Sequence, residues 1–462
     1  MSDAPRRCPP DCDVLIVGAR CAGATLATFL AGAGARVILL DKDALPGDQV
    51  VSTHFISASG MDVLDTIGVG DDVRSVAPPA RILRLNVEGN FIDTELPAGR
   101  AHYCPRRQRL DGLLQQAAVR AGAALRDRTR VIRLIHEHGR IVGARTERRG
   151  REATLTAGLV VGADGRHSTV ARLVGAEEYL GYDARRAGYW AYWDVPSFWR
   201  ADPAYGFDLY FSHAGGETGV IFPTDHGQLL MGSWPPVERS AAWRAAPMRE
   251  LYRALGPEPL IGPLIRSGPP ASRVIGTVKE RYFFRTGAGP GWVLVGDAGH
   301  HKDFVIGDGI TEALRQARSL ASAIAEGSDA ALARWWRARD VEALPWYFLG
   351  KEAGAPGPLS EFHRLLLMRL DADPDLKRRL VEALDRRQWP TGIVPARRAL
   401  AWVFAAALRE RPRALLELLA MATRIAAMAG ELRERRRMLA ASEMQEVHRA
   451  PARAPARSRA GR

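Results

Sequence analysis

Asp13-Val14-Leu15-Ile16-Val17-Gly18-Ala19-Arg20-Cys21-Ala22-Gly23 is the stretch that decides the fold. A short apolar, β-branched run ends at a glycine, and from Ala22 to Ala33 the residues Leu26, Ala27, Leu30 and Ala31 recur on one helical face. A second apolar run, Val37-Ile38-Leu39-Leu40, follows and closes at Asp41. Strand, helix and strand in this order make a βαβ unit. In a dinucleotide fingerprint the first glycine makes the tight turn and the last lets helix and strand pack closely. The helix N-terminus faces a pyrophosphate, and the acid at the end of the second strand takes a ribose hydroxyl. Gly18, Gly23 and Asp41 fill those places. Arg20 stands where the middle glycine is usual, so either the backbone there tolerates a side chain or the guanidinium itself takes part in anion binding.

Two more segments end an apolar strand on glycine and an acid. Val160-Val161-Gly162-Ala163-Asp164-Gly165-Arg166-His167-Ser168 runs into a tight turn that opens a helix. There Asp164 either presents its carboxylate over the turn or caps the helix. Val293-Leu294-Val295-Gly296-Asp297-Ala298-Gly299-His300-His301-Lys302-Asp303 leads to a helix opened by Gly307-Asp308-Gly309. A carboxylate at such a strand end can hold a sugar hydroxyl, and glycines at a helix start let the backbone approach a flat ring. Each site alone has a plain structural explanation, whereas three in this order are hard to obtain by chance.

These motifs, in this order over roughly Asp13 to Ile324, resemble the single-component FAD-dependent aromatic hydroxylases of the p-hydroxybenzoate-hydroxylase fold, the class A flavin monooxygenases. The resemblance implies that Gly18, Arg20, Gly23 and Asp41 hold the ADP half of FAD. Arg107, ahead of Leu110-Asp111, lies near the flavin. Asp164 and Gly165 serve both FAD and a transient NAD(P)H donor, Gly296 and Asp297 reach the ribityl chain, and Gly307 and Gly309 border the pyrimidine edge. Phe304 and Asp308 depart from the proline and glutamine that the family usually carries there. The Gly-Ala-Arg-Cys-Ala-Gly-Ala form, Ser52-Thr53-His54 and Lys302-Asp303 resemble a subgroup assigned only as FAD-dependent oxidoreductases.

The expected fold class is α/β: a three-segment Rossmann-type FAD-binding domain with an antiparallel-sheet substrate domain and a helical C-terminal region. The boundaries are a flexible N-terminus over 1–12, the FAD-binding domain over 13–180 and 276–330 including a β-meander, the substrate domain over 181–275, helices over 331–446, and a disordered basic tail over 447–462. At 462 residues with 47% hydrophobic residues the chain buries more than one core. The net charge of +13 is concentrated late, with 17 arginines against 6 acids from Arg386 onward. No aromatic residue separates the arginines of the tail, so nucleic acid is not expected as a partner. Four cysteines without a second ligand cluster predict no metal site. Arg6, Arg7 and Pro9-Pro10 precede no apolar signal core, and no apolar run is long enough to insert into a membrane, so a cytoplasmic monomer or homodimer is expected.

Aromatic residues crowd 189–211, where the resemblance places the substrate sheet. Most are expected in the core, with some lining a large apolar pocket. His54 and His301 are the candidate catalytic residues, His301 for proton transfer and His54 for contact on the substrate side, and catalytic residues are otherwise unassigned. The expected reaction is NAD(P)H-dependent hydroxylation or epoxidation of an aromatic or polycyclic small molecule by dioxygen through a flavin hydroperoxide. The alternatives are a flavin-dependent reductase or dehydrogenase like the prenyl reductases, a halogenase, and a non-catalytic FAD-binding protein.

Overall fold

In the computed structural model the strand Cys12–Val17 forms the centre of an eight-stranded sheet. It pairs in parallel with Val37–Leu40 on one side and Arg151–Gly162 on the other. Trp292–Leu294 extends the sheet beside Arg151–Gly162, and Ala124–Arg126 extends it beside Val37–Leu40, both in parallel. The structure describes residues 9–214, 216–359, 361–407 and 413–449.

Parallel strands covered on both faces have apolar side chains all along, which is why the motif strands are unbroken Val/Ile/Leu runs. Val14, Ile16 and Leu39 pack against the helices Cys21–Gly32, Arg107–Arg120 and Gly309–Ala325, while Leu15, Val17, Ile38 and Leu40 face the meander Arg130–Glu137 and Arg140–Arg148. The registers set Val17 beside Gly162 and Gly162 beside Leu294, so the three motif turns leave the same edge of the sheet side by side. Ligands of open α/β sheets bind at this carboxyl edge.

The second sheet has seven strands in the order Ile275–Thr277, Gly188–Asp194, Gln228–Ser233, Glu217–Thr224, Leu209–Ala214, Ile82–Val87 and Asn90–Glu95. The last two strands correct the sequence division, which assigned 13–180 to the FAD-binding domain. Ile82–Val87 pairs with Leu209–Ala214 in parallel, a long-range contact that local patterning does not reveal. Alternation along Gly188–Asp194 sends Tyr189 and Trp193 into one core with the helices Pro247–Leu255 and Ile261–Arg266. It sends Trp190 and Tyr192 to the opposite face, toward Phe55 and Phe304. The helices between Ser240 and Arg266 interrupt what the sequence reading treats as a sheet domain.

A three-stranded sheet of Glu178–Asp183, Arg281–Arg285 and His300–His301 lies beside these two. The helical C-terminal region begins with Asp329–Ala353, and its last described helix, Arg413–Arg449, ends three residues past the expected boundary. The expectations for residues 1–8 and 450–462 lie outside the described residues. Among the described residues no helix is long and apolar enough to cross a membrane.

Candidate functional site

A cleft of about 540 Å³ follows the carboxyl edge of the first sheet and reaches the second. Its walls include Gly18, Arg20, Asp41, Arg107, Asp164, Gly165, Gly296, Asp297, Gly307 and Gly309, so the predicted cofactor-binding residues converge on one cavity; Gly23 lies directly behind, in the first turn of its helix.

The geometry at the first turn explains the glycines. Gly18 has φ +104°, and a Cβ there would lie 2.4 Å from the Ala163 carbonyl oxygen; at Gly23 a Cβ would lie 1.8 Å from the Gly18 carbonyl oxygen. Gly23 therefore closes the helix onto the turn. The helix Cys21–Gly32 has no side-chain cap and no acid in its first turn, so its free N–H groups and positive dipole end are available to an anion. Asp41 is buried and accepts the Ala19 N–H at 2.9 Å and the Asp43 N–H at 3.0 Å. Arg20 is extended (φ −101°, ψ −162°), a conformation open to any residue. Its guanidinium donates to Gln49 at 2.6 Å and to Asp43 at 3.1 Å. The backbone thus tolerates the missing glycine, and Gln49 and Asp43 occupy the charge.

In the middle of the cleft Arg107 is clamped by Asp111 at 2.9 Å, and Asp111 also accepts from the Cys21 thiol at 3.3 Å. Asp164 lines the cleft and also braces the start of the helix Thr169–Leu173, whose N-cap is Ser168. One carboxylate oxygen accepts the Thr169 and Val170 N–H groups at 2.6 and 3.3 Å, and the other accepts the Ser168 hydroxyl. Burial nevertheless raises its pKa. Gly165, at φ +77°, turns the chain beneath it. Asp297 keeps its side chain 43% exposed, with the His301 imidazole 4.0 Å away. Gly296 donates its N–H to Gln316 Oε1 at 3.0 Å, which fixes the strand end against the helix Gly309–Ala325.

The far end is bounded by Phe55, Trp190, Trp234 and Phe304. His54 belongs here, fully buried at φ +65°, with Nε2 2.6 Å from the Tyr192 hydroxyl. Burial, reinforced by Arg107 and Arg106, pushes its pKa down to about 3, and burial raises Tyr192 to about 12, so both are neutral at pH 7. The Arg106 guanidinium sits 4.0 Å over the Tyr192 ring. His301 donates its Nδ1 hydrogen to the Arg281 carbonyl at 3.0 Å, since a carbonyl can only accept. His300 is buried, and burial drives its pKa far down.

Sequence reasoning did not find Tyr192 as the partner of His54, the wall of Trp190 and Trp234, or the buried charges Lys302, Glu312 and Arg386. The alternation of Tyr189 to Trp193 carried a usable signal for the first two. Nothing local indicates that Arg386 reaches this region.

FAD fits this cleft. An uncapped helix N-terminus and a buried acid meet at one end, exposed Asp297 stands midway, and Gly309, with open space beside it, borders the other. Residues 11–331 match the family described as FAD binding domain. The digeranylgeranylglycerophospholipid reductase of Methanothrix thermoacetophila is 27% identical over 322 residues, covering 68% of this chain and 78% of that protein. Among solved structures, p-nitrophenol 4-monooxygenase of Pseudomonas putida superposes with a TM-score of 0.67 at 17% identity, covering 82% of this chain and 98% of that one. A ternary complex of aklavinone-11 hydroxylase with FAD and aklavinone superposes at 0.62 with 20% identity, covering 74% and 68%. At such identities the structures establish a shared fold. The family match covers more than half of the sequence and contains all three motifs, so this chain belongs to the FAD binding domain family and is an FAD-dependent oxidoreductase.

Proposed function

We propose that this enzyme passes electrons from NAD(P)H through FAD to an apolar, unsaturated small molecule, and that it reduces a carbon–carbon double bond. The observation that carries this reading is the similarity to digeranylgeranylglycerophospholipid reductase, which covers 68% of this chain and 78% of that protein. The cleft supports it. Bound FAD would supply hydride transfer, and Phe55, Trp190, Trp234 and Phe304 would exclude water and hold an apolar chain or ring against it. Reduction of a double bond also needs a proton on the second carbon. His54 lines the cleft with its Nε2 paired to the hydroxyl of buried Tyr192, and this neutral pair suits a proton donor better than a base.

Monooxygenation of an aromatic or polycyclic compound is the second reading, favoured by the aromatic wall, which suits a flat ring system. Product mass separates the two. With a panel of polyprenyl and polycyclic compounds and NAD(P)H, reduction adds two hydrogens and proceeds without oxygen. A product carrying one atom from labelled dioxygen, and no anaerobic product, refutes reduction and establishes the second reading.

A further inference from the structure

Four buried charges meet where the cleft is bordered by Gly307 and Gly309. Lys302 Nζ lies 3.0 Å from Asp308 and 2.6 Å from Glu312, and all three residues line the cleft. The fourth charge comes from far along the chain: the Arg386 guanidinium contacts Asp308 and approaches Glu312 at 3.7 Å, with its side chain only 5% exposed. Arg386 lies outside the 11–331 family match, so that segment alone leaves Asp308 and Glu312 facing a single cation.

The surroundings show that Arg386 is held there. Its guanidinium stacks 3.5 Å over the ring of buried Trp346, in the helix Asp329–Ala353. Its backbone takes φ +60°, uncommon for a side chain of this size. The preceding Asp385 anchors the turn, accepting the Ser59 N–H at 2.6 Å and the Arg100 guanidinium at 2.8 Å. Burial alone disfavours the Arg386 charge, but a guanidinium in contact with a carboxylate keeps its proton. The cluster holds two cations and two anions. His300, linked to Glu312 through Gln316, is neutral.

We infer that Arg386 is a positioning residue for the redox chemistry: by neutralising Asp308 from the C-terminal helical region, it sets the reduction potential of the flavin. Reducing a flavin adds negative charge, which an unpaired buried carboxylate at the cleft wall opposes. Removing Arg386 leaves the cluster at net −1 and disfavours reduction. Removing the Asp308 charge leaves it at net +1 and favours reduction. This inference requires FAD in the cleft but neither proposed reaction.

The test is the midpoint potential of the full-length holoenzyme, read by dye equilibration in parallel with the unfolding midpoint. Arg386→Gln is expected to shift the equilibrium at least tenfold toward oxidised flavin, about 30 mV lower for a two-electron couple. Asp308→Asn is expected to shift it in the opposite direction. The double variant, again balanced, is expected within threefold of the parent, and Arg386→Lys should stay close to it. A yellow protein whose potential ignores these changes while its unfolding midpoint falls would show Arg386 to be structural only, and overturns the inference. If Arg386→Gln does not fold, Asp308→Asn decides, and an unchanged potential there overturns it too. A parent protein that takes up no FAD overturns both this inference and the FAD assignment.

Discussion

Replacing Asp41 by alanine perturbs two things at once, and the structure separates them. One carboxylate oxygen accepts the buried Ala19 N–H at 2.9 Å and the other the Asp43 N–H at 3.0 Å, so the side chain already holds the fingerprint turn without ligand. Leaving the Ala19 donor unpaired in the interior costs about 1–3 kcal/mol of folding stability. The remaining acceptor capacity of the carboxylate faces the cleft, and loss of a charged hydrogen bond to a ribose hydroxyl costs about 1.5–3 kcal/mol of binding, roughly 10- to 150-fold in FAD affinity. Apoprotein titrated with FAD, followed by flavin fluorescence quenching, gives the affinity, and urea unfolding of the apoprotein gives the stability. Asp41→Asn keeps one acceptor oxygen and should fall between the two. A folded Asp41→Ala protein that binds FAD as tightly as the parent refutes the assignment of this carboxylate to the cofactor.

Gly23→Ala should yield no soluble flavoprotein, because a Cβ 1.8 Å from a backbone oxygen forces the helix off the turn, beyond the roughly 1–3 kcal/mol of ordinary overpacking; a yellow, stable variant would contradict the packing. Burial pushes the Asp303 pKa up to about 6, above the unfolded value, so this group's contribution to stability is full below about pH 4 and is lost as pH rises through 6. The stability difference between Asp303→Asn and the parent should therefore grow by up to about 3 kcal/mol over that window, and a difference independent of pH counts against the burial. Removing residues 450–462, whose composition offers no core, should leave FAD content and turnover within about twofold; a colourless product would give the segment a structural role.

The parts of the fold legible in the sequence are those set by local chemistry. Gly18 and Gly23 announce a turn that no other residue fits, and the unbroken apolar runs announce strands buried on both faces. Their convergence follows from the parallel pairing of neighbouring strands, which the order of motifs implies. Asp164 was legible as a choice between ligand and cap, and the structure shows it bonded to Thr169 and Val170 at the helix start while it also lines the cleft. What local chemistry does not encode stayed hidden. Ile82–Val87 joins a strand far along the chain, and Arg386 meets Asp308 only because the helix Asp329–Ala353 and the turn at Asp385 fold back onto the first domain.

The most direct test of the account is reduction of the purified flavoprotein by NADH or NADPH under strict anaerobiosis, followed by addition of an apolar polyunsaturated compound. The account predicts that nicotinamide bleaches the flavin band and that the compound alone restores it, with the compound recovered two hydrogens heavier. A flavin that stays reduced until oxygen is admitted, whatever compound is present, contradicts the proposed reduction.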